Sequence, residues 1–292
     1  MASAELLTGS LAARGIQTFT RPVGVQHPAL CPQELAEADT VVVIGGDGTV
    51  HRSLAVLLEA GRPVYHLPLG TENLFARHFG MCRNPERAAA RICGFQQLPM
   101  DVAVVTTPES PGTTGDGTLA AIMISAGPDA SVIHRLALKR KGPITHLSYA
   151  VPIAAEVFGA SLPRLTITVD GVPLVSEKRG MVVVANAPTY ARFINPAHHA
   201  RTDDGLLDVV FLPSTSAIVS GLWLAACRFR VHRRLGAKVA SGTRIRIESS
   251  EAFPWQVDGE PGGVSRRLDI GLDPRRLRIV SPAVSPAVRG VA

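Results

Sequence analysis

The residues with the clearest capacity for chemistry form one glycine-rich turn, made of Gly45, Gly46, Asp47, Gly48 and Thr49. The turn directly follows the run VVVI at residues 41–44, which is typical of a buried parallel strand, and apolar residues return after it at helical spacing. Such a turn presents backbone N–H groups at the carboxyl edge of a sheet, and glycines let phosphate approach that backbone closely. The turn therefore predicts a phosphate-binding site; an ordinary strand-to-helix loop is the alternative.

A second turn that leads into a helix follows in the stretch LPLGTENLFAR at residues 67–77. Its Thr71 and Asn73 offer a hydroxyl and an amide beside the start of the helix, which suits the phosphates or the sugar of a nucleotide. Thr71 is also a fair N-cap, and Gly80 is a fair helix stop. A plain capped helix is therefore the alternative interpretation.

Acidic side chains are concentrated before a predicted strand, in the stretch RTDDGLLDVVFL at residues 201–212. Asp203 and Asp204 precede a glycine, as residues of tight turns often do. Together with Asp208 they could instead provide a carboxylate for Mg²⁺, which prefers oxygen ligands. A turn and a metal site both stay open.

Two further carboxylates, Asp258 and Glu260, flank a glycine in the stretch WQVDGEP at residues 255–261. Residues two apart in an extended segment face the same way, so both carboxylates could point into one cleft. A carboxylate near a phosphate site can orient an acceptor hydroxyl and take its proton, as phosphoryl transfer requires. A solvated hairpin turn is the alternative.

The composition limits the classes of partner and of compartment. The 292 residues carry a formal net charge of +6, which favours anionic partners. Aromatic residues, 5% of the chain, are not interleaved with the cations in a stacking pattern, which argues against nucleic acid. No apolar stretch is long enough for a bilayer span, and no secretory signal is visible in residues 1–8, so a cytoplasmic protein is expected. The four cysteines form no CxxC pair and are expected to be reduced thiols.

Two basic stretches, at residues 134–142 and 228–238, place clustered cations beside apolar residues. The second follows the apolar helix AIVSGLWLAAC, which contains Trp223. Polybasic segments next to apolar and tryptophan side chains suit an anionic membrane surface, whereas a solvated helix face is the commoner explanation.

The element pattern changes after about residue 100. The preceding residues alternate between predicted helices, near 4–14 and 33–38, and strands, which indicates an α/β domain with a parallel sheet at 1–100. Short β-prone runs then fill a domain at 101–280 and predict an antiparallel sandwich or barrel, with a hairpin at Asp170-Gly171 and helices near 149–158 and 216–234. The tail at 281–292 is expected to be loosely ordered.

The joint order of five motifs resembles the diacylglycerol kinase catalytic family, which includes bacterial soluble lipid kinases and relatives of sphingosine and ceramide kinases. The motifs are GGDGT at 45–49, GTENLFAR at 70–77, SAGPDASV at 125–132, DDGLLDVV at 203–210 and VDGE at 257–260. The resemblance implies an N-terminal α/β domain like that of NAD kinases and diacylglycerol kinases, a C-terminal β-sandwich-like domain and an ATP site between them. It implies an ATP- and Mg²⁺-dependent lipid kinase, peripheral at the inner membrane surface, and a homodimer stays open.

The resemblance also implies roles for particular residues. The backbone of Gly45 to Thr49 would hold the nucleotide phosphates, Asp47 would join a network of Mg²⁺ and water, and Thr71 and, more loosely, Thr20 would contact the nucleotide. Glu260 would accept the proton of the lipid hydroxyl, with Asp258 as its neighbour. A structural Mg²⁺ would be held by the Asp204 side chain with the carbonyls of Arg201 and Leu206.

The sequence departs from the family pattern at three positions and at its start. His51 and Arg52 stand where the family commonly has Asn-Glu, and Leu74 replaces a common Asp. The usual opening strand and NPxxG loop are expected to be missing from the chain as given. Two alternatives therefore stay open: a small-molecule kinase similar to NAD kinases, and a homologue that binds nucleotide or lipid without turnover.

Overall fold

The computed structural model describes residues 2–22, 31–94, 96–109, 117–138, 162–191 and 194–281. They form two compact units. The first comprises the residues up to Met100 together with the segment that begins at Arg275, and the second comprises Asp101–Pro274.

The first unit begins with alternating helices and strands. Its elements up to residue 100 are α1 (Ala2–Ala12), α2 (Pro32–Ala36), β1 (Val41–Gly45), α3 (Asp47–Ala60), β2 (Pro63–Pro68), α4 (Leu74–His78), α5 (Pro85–Cys93) and β3 (Gln96–Met100).

The second unit is mainly β-structure. Its elements are β4 (Ala103–Thr106), β5 (Thr118–Ala120), β6 (Met123–Ala126), α6 (Pro128–Leu138), β7 (Arg164–Val169), β8 (Val172–Ala185), β9 (Leu207–Pro213), α7 (Ala217–Arg228), β10 (Lys238–Gly242), β11 (Ile245–Val257) and β12 (Glu260–Leu272). The last strand of the described chain is β13 (Leu277–Ser281).

The sheet of the first unit has the strand order β1-β2-β13-β3. β2 runs parallel to both β1 and β13, and β3 is an antiparallel edge strand, so the predicted parallel α/β sheet is confirmed. All six residues of β2 are buried, as expected for a central strand with both faces covered. The prediction that residues 275–280 belong to the second domain is wrong, because backbone pairing with β2 and β3 places β13 in the first sheet.

The second unit is built on a nine-stranded antiparallel sheet with the order β10-β9-β8-β6-β11-β12-β4-β5, and β7 pairs with β11 and β8. Its core consists mostly of branched aliphatic side chains around Phe211, Phe253 and Trp255. The hairpin predicted at Asp170-Gly171 is confirmed, since both residues have positive φ, 49° and 83°, as a tight two-residue turn requires.

Several local predictions need correction or lie outside the described residues. The helix predicted at 216–234 ends at Arg228. The helix predicted near 149–158 and residues 282–292 of the predicted tail lie outside the described residues. No helix in the described part of the chain has the length and apolar character needed to cross a membrane.

Candidate functional site

The glycine-rich turn connects β1 to α3 as the sequence predicts. Gly46 is the N-cap of α3 in an extended conformation, and its carbonyl accepts hydrogen bonds from Thr49 N and Val50 N at 2.9 and 3.3 Å. Because Gly46 has no side chain, the N-cap position supplies no side-chain oxygen to the first N–H groups of α3. This is the backbone geometry that favours phosphate at the start of a helix.

The two turns predicted separately lie against each other. A Cβ atom built on Gly70 would lie 2.7 Å from the Gly46 Cα, so only glycines permit this approach. The Asp47 carboxylate accepts hydrogen bonds from Leu74 N at 2.9 Å and Phe75 N at 3.1 Å. Asp47 therefore caps α4 from another part of the chain and fixes the second turn to the first.

Asn73, rather than Thr71, precedes α4 as its N-cap, in the left-handed conformation with φ of 51°. The Asn73 side-chain oxygen accepts from Gly70 N at 2.8 Å and its amide nitrogen donates to Gly70 O at 2.6 Å. The predicted Thr71 cap is therefore wrong, because the chain closes one more turn before the helix begins. Thr71 is exposed beside this turn, and Thr20 is exposed in a segment without regular secondary structure.

A buried histidine supports the turn from β2. His66 is fully buried, and its Nε2 donates to the Gly45 carbonyl at 2.9 Å. Burial lowers the pKa of His66, so the folded protein binds this proton less readily than the unfolded chain. Stability linked to His66 is thus present above the ordinary histidine pKa and falls as the pH drops below it. No motif predicts this role for His66; a lone imidazole in an otherwise apolar strand is the available signal.

The VDGE segment is a tight turn between β11 and β12, with positive φ at Asp258 and Gly259. The Asp258 carboxylate is buried and accepts from the backbone N–H groups of residues 121, 122 and 123 at 2.8, 2.8 and 3.0 Å. The expectation that Asp258 and Glu260 share a face of an extended segment is wrong, because the chain reverses between them. Asp258 stabilises the turn, and Glu260 opens β12 with partial exposure.

A chain of polar side chains holds this turn. Gln256 accepts from Gly259 N at 2.8 Å and donates to Ser125 Oγ at 2.6 Å. Ser125 and Tyr190 both donate to the Asp129 carboxylate, Tyr190 at 2.6 Å. Burial raises the pKa of Asp129 despite these donors, and it also raises that of Tyr190. The motif SAGPDASV contains Ser125 and Asp129, but the motif alone predicts a role for neither residue.

The acidic stretch at residues 201–208 forms turns before β9. Asp203 pairs with Arg201 at 3.1 Å, and Asp204 Oδ1 accepts from Leu206 N at 3.1 Å. Asp208 Oδ1 accepts from Ser241 Oγ at 2.6 Å across the β9–β10 pairing. Within the described ranges no three His, Cys, Asp or Glu side chains are grouped for a metal ion, so a Mg²⁺ held here would take most of its ligands from carbonyls and water.

Comparison with protein families gives two adjoining matches. Residues 6–105 match the diacylglycerol kinase catalytic domain, and residues 122–281 match the YegS C-terminal NAD kinase beta sandwich-like domain. The resemblance inferred from the five motifs and the predicted fold class are both confirmed.

Two curated relatives share slightly more than a quarter of their aligned residues with this chain. A diacylglycerol kinase of Mycobacterium tuberculosis (strain CDC 1551 / Oshkosh) is 27% identical over 70% of this chain, a match that spans 65% of the relative's length. A Pseudomonas aeruginosa (strain UCBPP-PA14) protein named "Probable lipid kinase YegS-like" is 28% identical over 86% of this chain and 79% of its own.

Solved structures share the fold. One is a Bacillus anthracis str. Sterne protein assigned as a diacylglycerol kinase, which is 24% identical to this chain and superposes with a TM-score of 0.67. The superposition covers 88% of this chain and 80% of that protein's chain. Another is an NAD kinase from Archaeoglobus fulgidus in complex with ATP, which is 14% identical and superposes with a TM-score of 0.52. That superposition covers 97% of this chain and 91% of the NAD kinase chain.

Proposed function

Because this chain belongs to the diacylglycerol kinase catalytic family with a YegS-type C-terminal domain, we propose that it transfers the γ-phosphoryl group of ATP to a lipid hydroxyl. The relatives named as kinases support phosphoryl transfer, and both the lipid acceptor and the use of Mg²⁺ belong to the proposal. The proposed acceptor is a diacylglycerol-like or sphingoid-like lipid at an anionic membrane surface.

The observation that carries the proposal is the pair of fixed turns in the first unit. Gly45 to Thr49 expose backbone at the start of α3, and Asp47 holds the second turn beside them. A rigid, uncapped helix start positions phosphates without further rearrangement, and phosphoryl transfer depends mainly on positioning and electrostatics. We assign ATP phosphates to this backbone and the nucleotide's remaining contacts to Thr71 and Thr20.

Asp47 has a narrower role in this proposal than the family resemblance implies. Both of its oxygens already accept backbone N–H groups, so its first effect is to position α4. Leu74, where the family has a carboxylate, is buried and cannot replace it as a ligand. Mg²⁺ bound with ATP would supply charge neutralisation at the phosphates, and Asp204 would hold a separate structural ion with the Arg201 and Leu206 carbonyls.

In the second unit, Glu260 is the proposed acceptor of the proton from the lipid hydroxyl. It follows directly on the turn that Asp258 and Gln256 hold, so its backbone is fixed while its side chain remains partly exposed. Asp258 is a positioning residue in this scheme, because its carboxylate is occupied by three backbone N–H groups.

Two other functions compete with a lipid kinase. The similarity to an NAD kinase structure concerns the fold alone, at 14% identity, and gives no acceptor. A homologue that binds nucleotide without turnover is the other alternative, because Leu74 stands, buried, where the family commonly has an Asp.

The deciding experiment follows labelled phosphate from ATP into a panel of lipids in mixed micelles and, in parallel, into NAD. The Glu260→Gln variant should lose about a hundredfold or more of the lipid turnover, the usual effect of removing a general base, while ATP still raises its melting temperature. Glu251→Gln, which changes an exposed glutamate on β11, serves as the matched control and should keep full activity.

Each other outcome contradicts part of the proposal. Unchanged turnover by Glu260→Gln would remove the proposed base, and phosphorylation of NAD instead of lipid would make the chain a small-molecule kinase. Stabilisation by ATP with no acceptor phosphorylated would indicate a binding protein.

A further inference from the structure

Helix α7 of the second unit carries an exposed apolar face. Ile218 and Leu222 are 62% and 66% exposed, and Phe229, just past the helix end, is 73% exposed. Their spacing of four and seven residues puts them on one side of the helix, with exposed Ala225 between Leu222 and Phe229. Large apolar side chains gathered on one exposed face usually mark a binding surface.

The opposite side of α7 is firmly attached to the unit. Trp223 Nε1 donates to the Pro213 carbonyl at 2.5 Å, and Ser220 Oγ donates to Ser214 Oγ at 2.9 Å. Cys227 is buried, which raises the pKa of its thiol to about 12. The orientation of the helix is thus set by its buried side, and the exposed face is a consequence of that fixed orientation.

The surroundings of this face are strongly basic. No acidic residue occurs between Asp208 and Glu248, whereas seven Lys or Arg residues do. Arg230, Arg233 and Arg234 follow the C-terminal end of α7, all exposed and none in an ion pair with another residue of the described chain. Leu235, 63% exposed, adds an apolar side chain beside them.

A second group of cations lies at the N-terminal end of the helix. A cavity of about 400 Å³ is lined there by Arg164, Lys178 and Arg179, by the hydroxyl-bearing Ser214 and Thr215, and by Val219 of α7. Glu177 is the acidic member of this lining. Cations and hydroxyls around a cavity of this size suit a phosphate headgroup.

We propose that α7 and these two basic groups form a docking surface for an anionic phospholipid bilayer, which we call the α7 surface. It comprises Ile218, Leu222, Phe229 and Leu235 as the inserting side chains, with Arg230, Arg233, Arg234, Arg164, Lys178 and Arg179 toward the headgroups. Apolar side chains flanked by cations match the acyl and phosphate layers of a bilayer interface. The inference deepens the proposed lipid kinase function, but vesicle binding needs neither ATP nor turnover.

The test measures co-sedimentation of the full chain with vesicles, in the absence of nucleotide. Phosphatidylcholine vesicles that contain phosphatidylglycerol should bind the protein, pure phosphatidylcholine vesicles should bind it far less, and added salt should weaken binding because it screens the arginines. Ile218→Ser/Leu222→Ser and Arg233→Glu/Arg234→Glu should each reduce the partition coefficient by about tenfold or more.

Matched controls change the same side-chain types elsewhere on the surface. Val172→Ser/Val264→Ser alters two valines that are 67% and 58% exposed, and Arg87→Glu/Arg266→Glu reverses two exposed arginines. Both control variants should bind vesicles like the unaltered chain. Since all eight positions are exposed, circular dichroism should show native folding for every variant.

Three results would overturn the proposal. One is absence of binding to anionic vesicles, and another is equal loss in the control and α7 variants. The third is unchanged vesicle binding by Ile218→Ser/Leu222→Ser together with loss of a dimer in sedimentation velocity, which would make the face a contact between two copies. Vesicle binding without lipid phosphorylation would support the α7 surface and refute only the lipid kinase.

Discussion

Replacing Asp47 by alanine should loosen α4 even when no nucleotide or metal is present. The carboxylate accepts from Leu74 N and Phe75 N at 2.9 and 3.1 Å, and α4 has no cap from its own Asn73 side chain. Loss of a helix cap costs about 0.5–2 kcal/mol, and hydrogen bonds to a charged group lie toward the upper end. We therefore expect a local loss of about 2 kcal/mol for Asp47→Ala, and about half of that for Asp47→Asn, which keeps one oxygen.

Amide hydrogen exchange at Leu74 and Phe75 measures this effect locally, so it is independent of how the two units unfold. A loss of about 2 kcal/mol corresponds to roughly 30-fold faster exchange at both amides. Asp39→Ala, which removes an exposed carboxylate from the same unit, provides the control and should leave both amides unchanged. Unaltered exchange in Asp47→Ala would refute the capping role and return Asp47 to a purely ligand-binding function.

Three further predictions concern the supports of the two turns. Gly70→Ala should lower the free energy of unfolding in urea by about 1–3 kcal/mol, because the new Cβ would lie 2.7 Å from the Gly46 Cα. The control Gly9→Ala, in open space on α1, should raise the free energy of unfolding by about 0.5–1 kcal/mol. Equal effects of the two substitutions would contradict the close approach. The free energy of unfolding should fall less between about pH 7 and about pH 5 in His66→Gln than in the unaltered chain, since this one group contributes at most about 1.4 kcal/mol per pH unit. Parallel dependence of the unfolding free energy on pH in the two proteins would argue against a buried neutral imidazole. Asp258→Asn should lower the free energy of unfolding by about 2–4 kcal/mol, because one oxygen cannot serve three backbone N–H groups, and a melting temperature equal to that of the unaltered chain would rule this out.

Local signals in the sequence were sufficient where a conformation depends on neighbouring residues. The β-branched run before GGDGT predicts β1, and the Asp170-Gly171 pair predicts a hairpin whose positive φ angles only such residues adopt readily. The order of motifs along the chain was also enough to identify the family and both domain types.

Local signals failed where a segment's partner is far away in the chain. β13 has the composition of a strand of the second domain, yet it completes the first sheet because the edge of β2 away from β1 has no neighbour until residues 277–281 return. The same holds for Asp258, whose three donors lie more than a hundred residues earlier. No spacing rule contains such distant pairings.

The sequence by itself therefore determined which residues form the turns, since glycine and Asp-Gly conformations are set by local steric limits. Only the tertiary structure decided what the carboxylates do. The motifs predicted that Asp47 joins a network of Mg²⁺ and water and that Asp258 lies beside the proton acceptor, but each carboxylate is held by backbone N–H groups that another segment brings to it. A carboxylate that is removed from water needs hydrogen-bond donors. Which backbone N–H groups lie close enough to donate depends on how distant segments of the chain pack together.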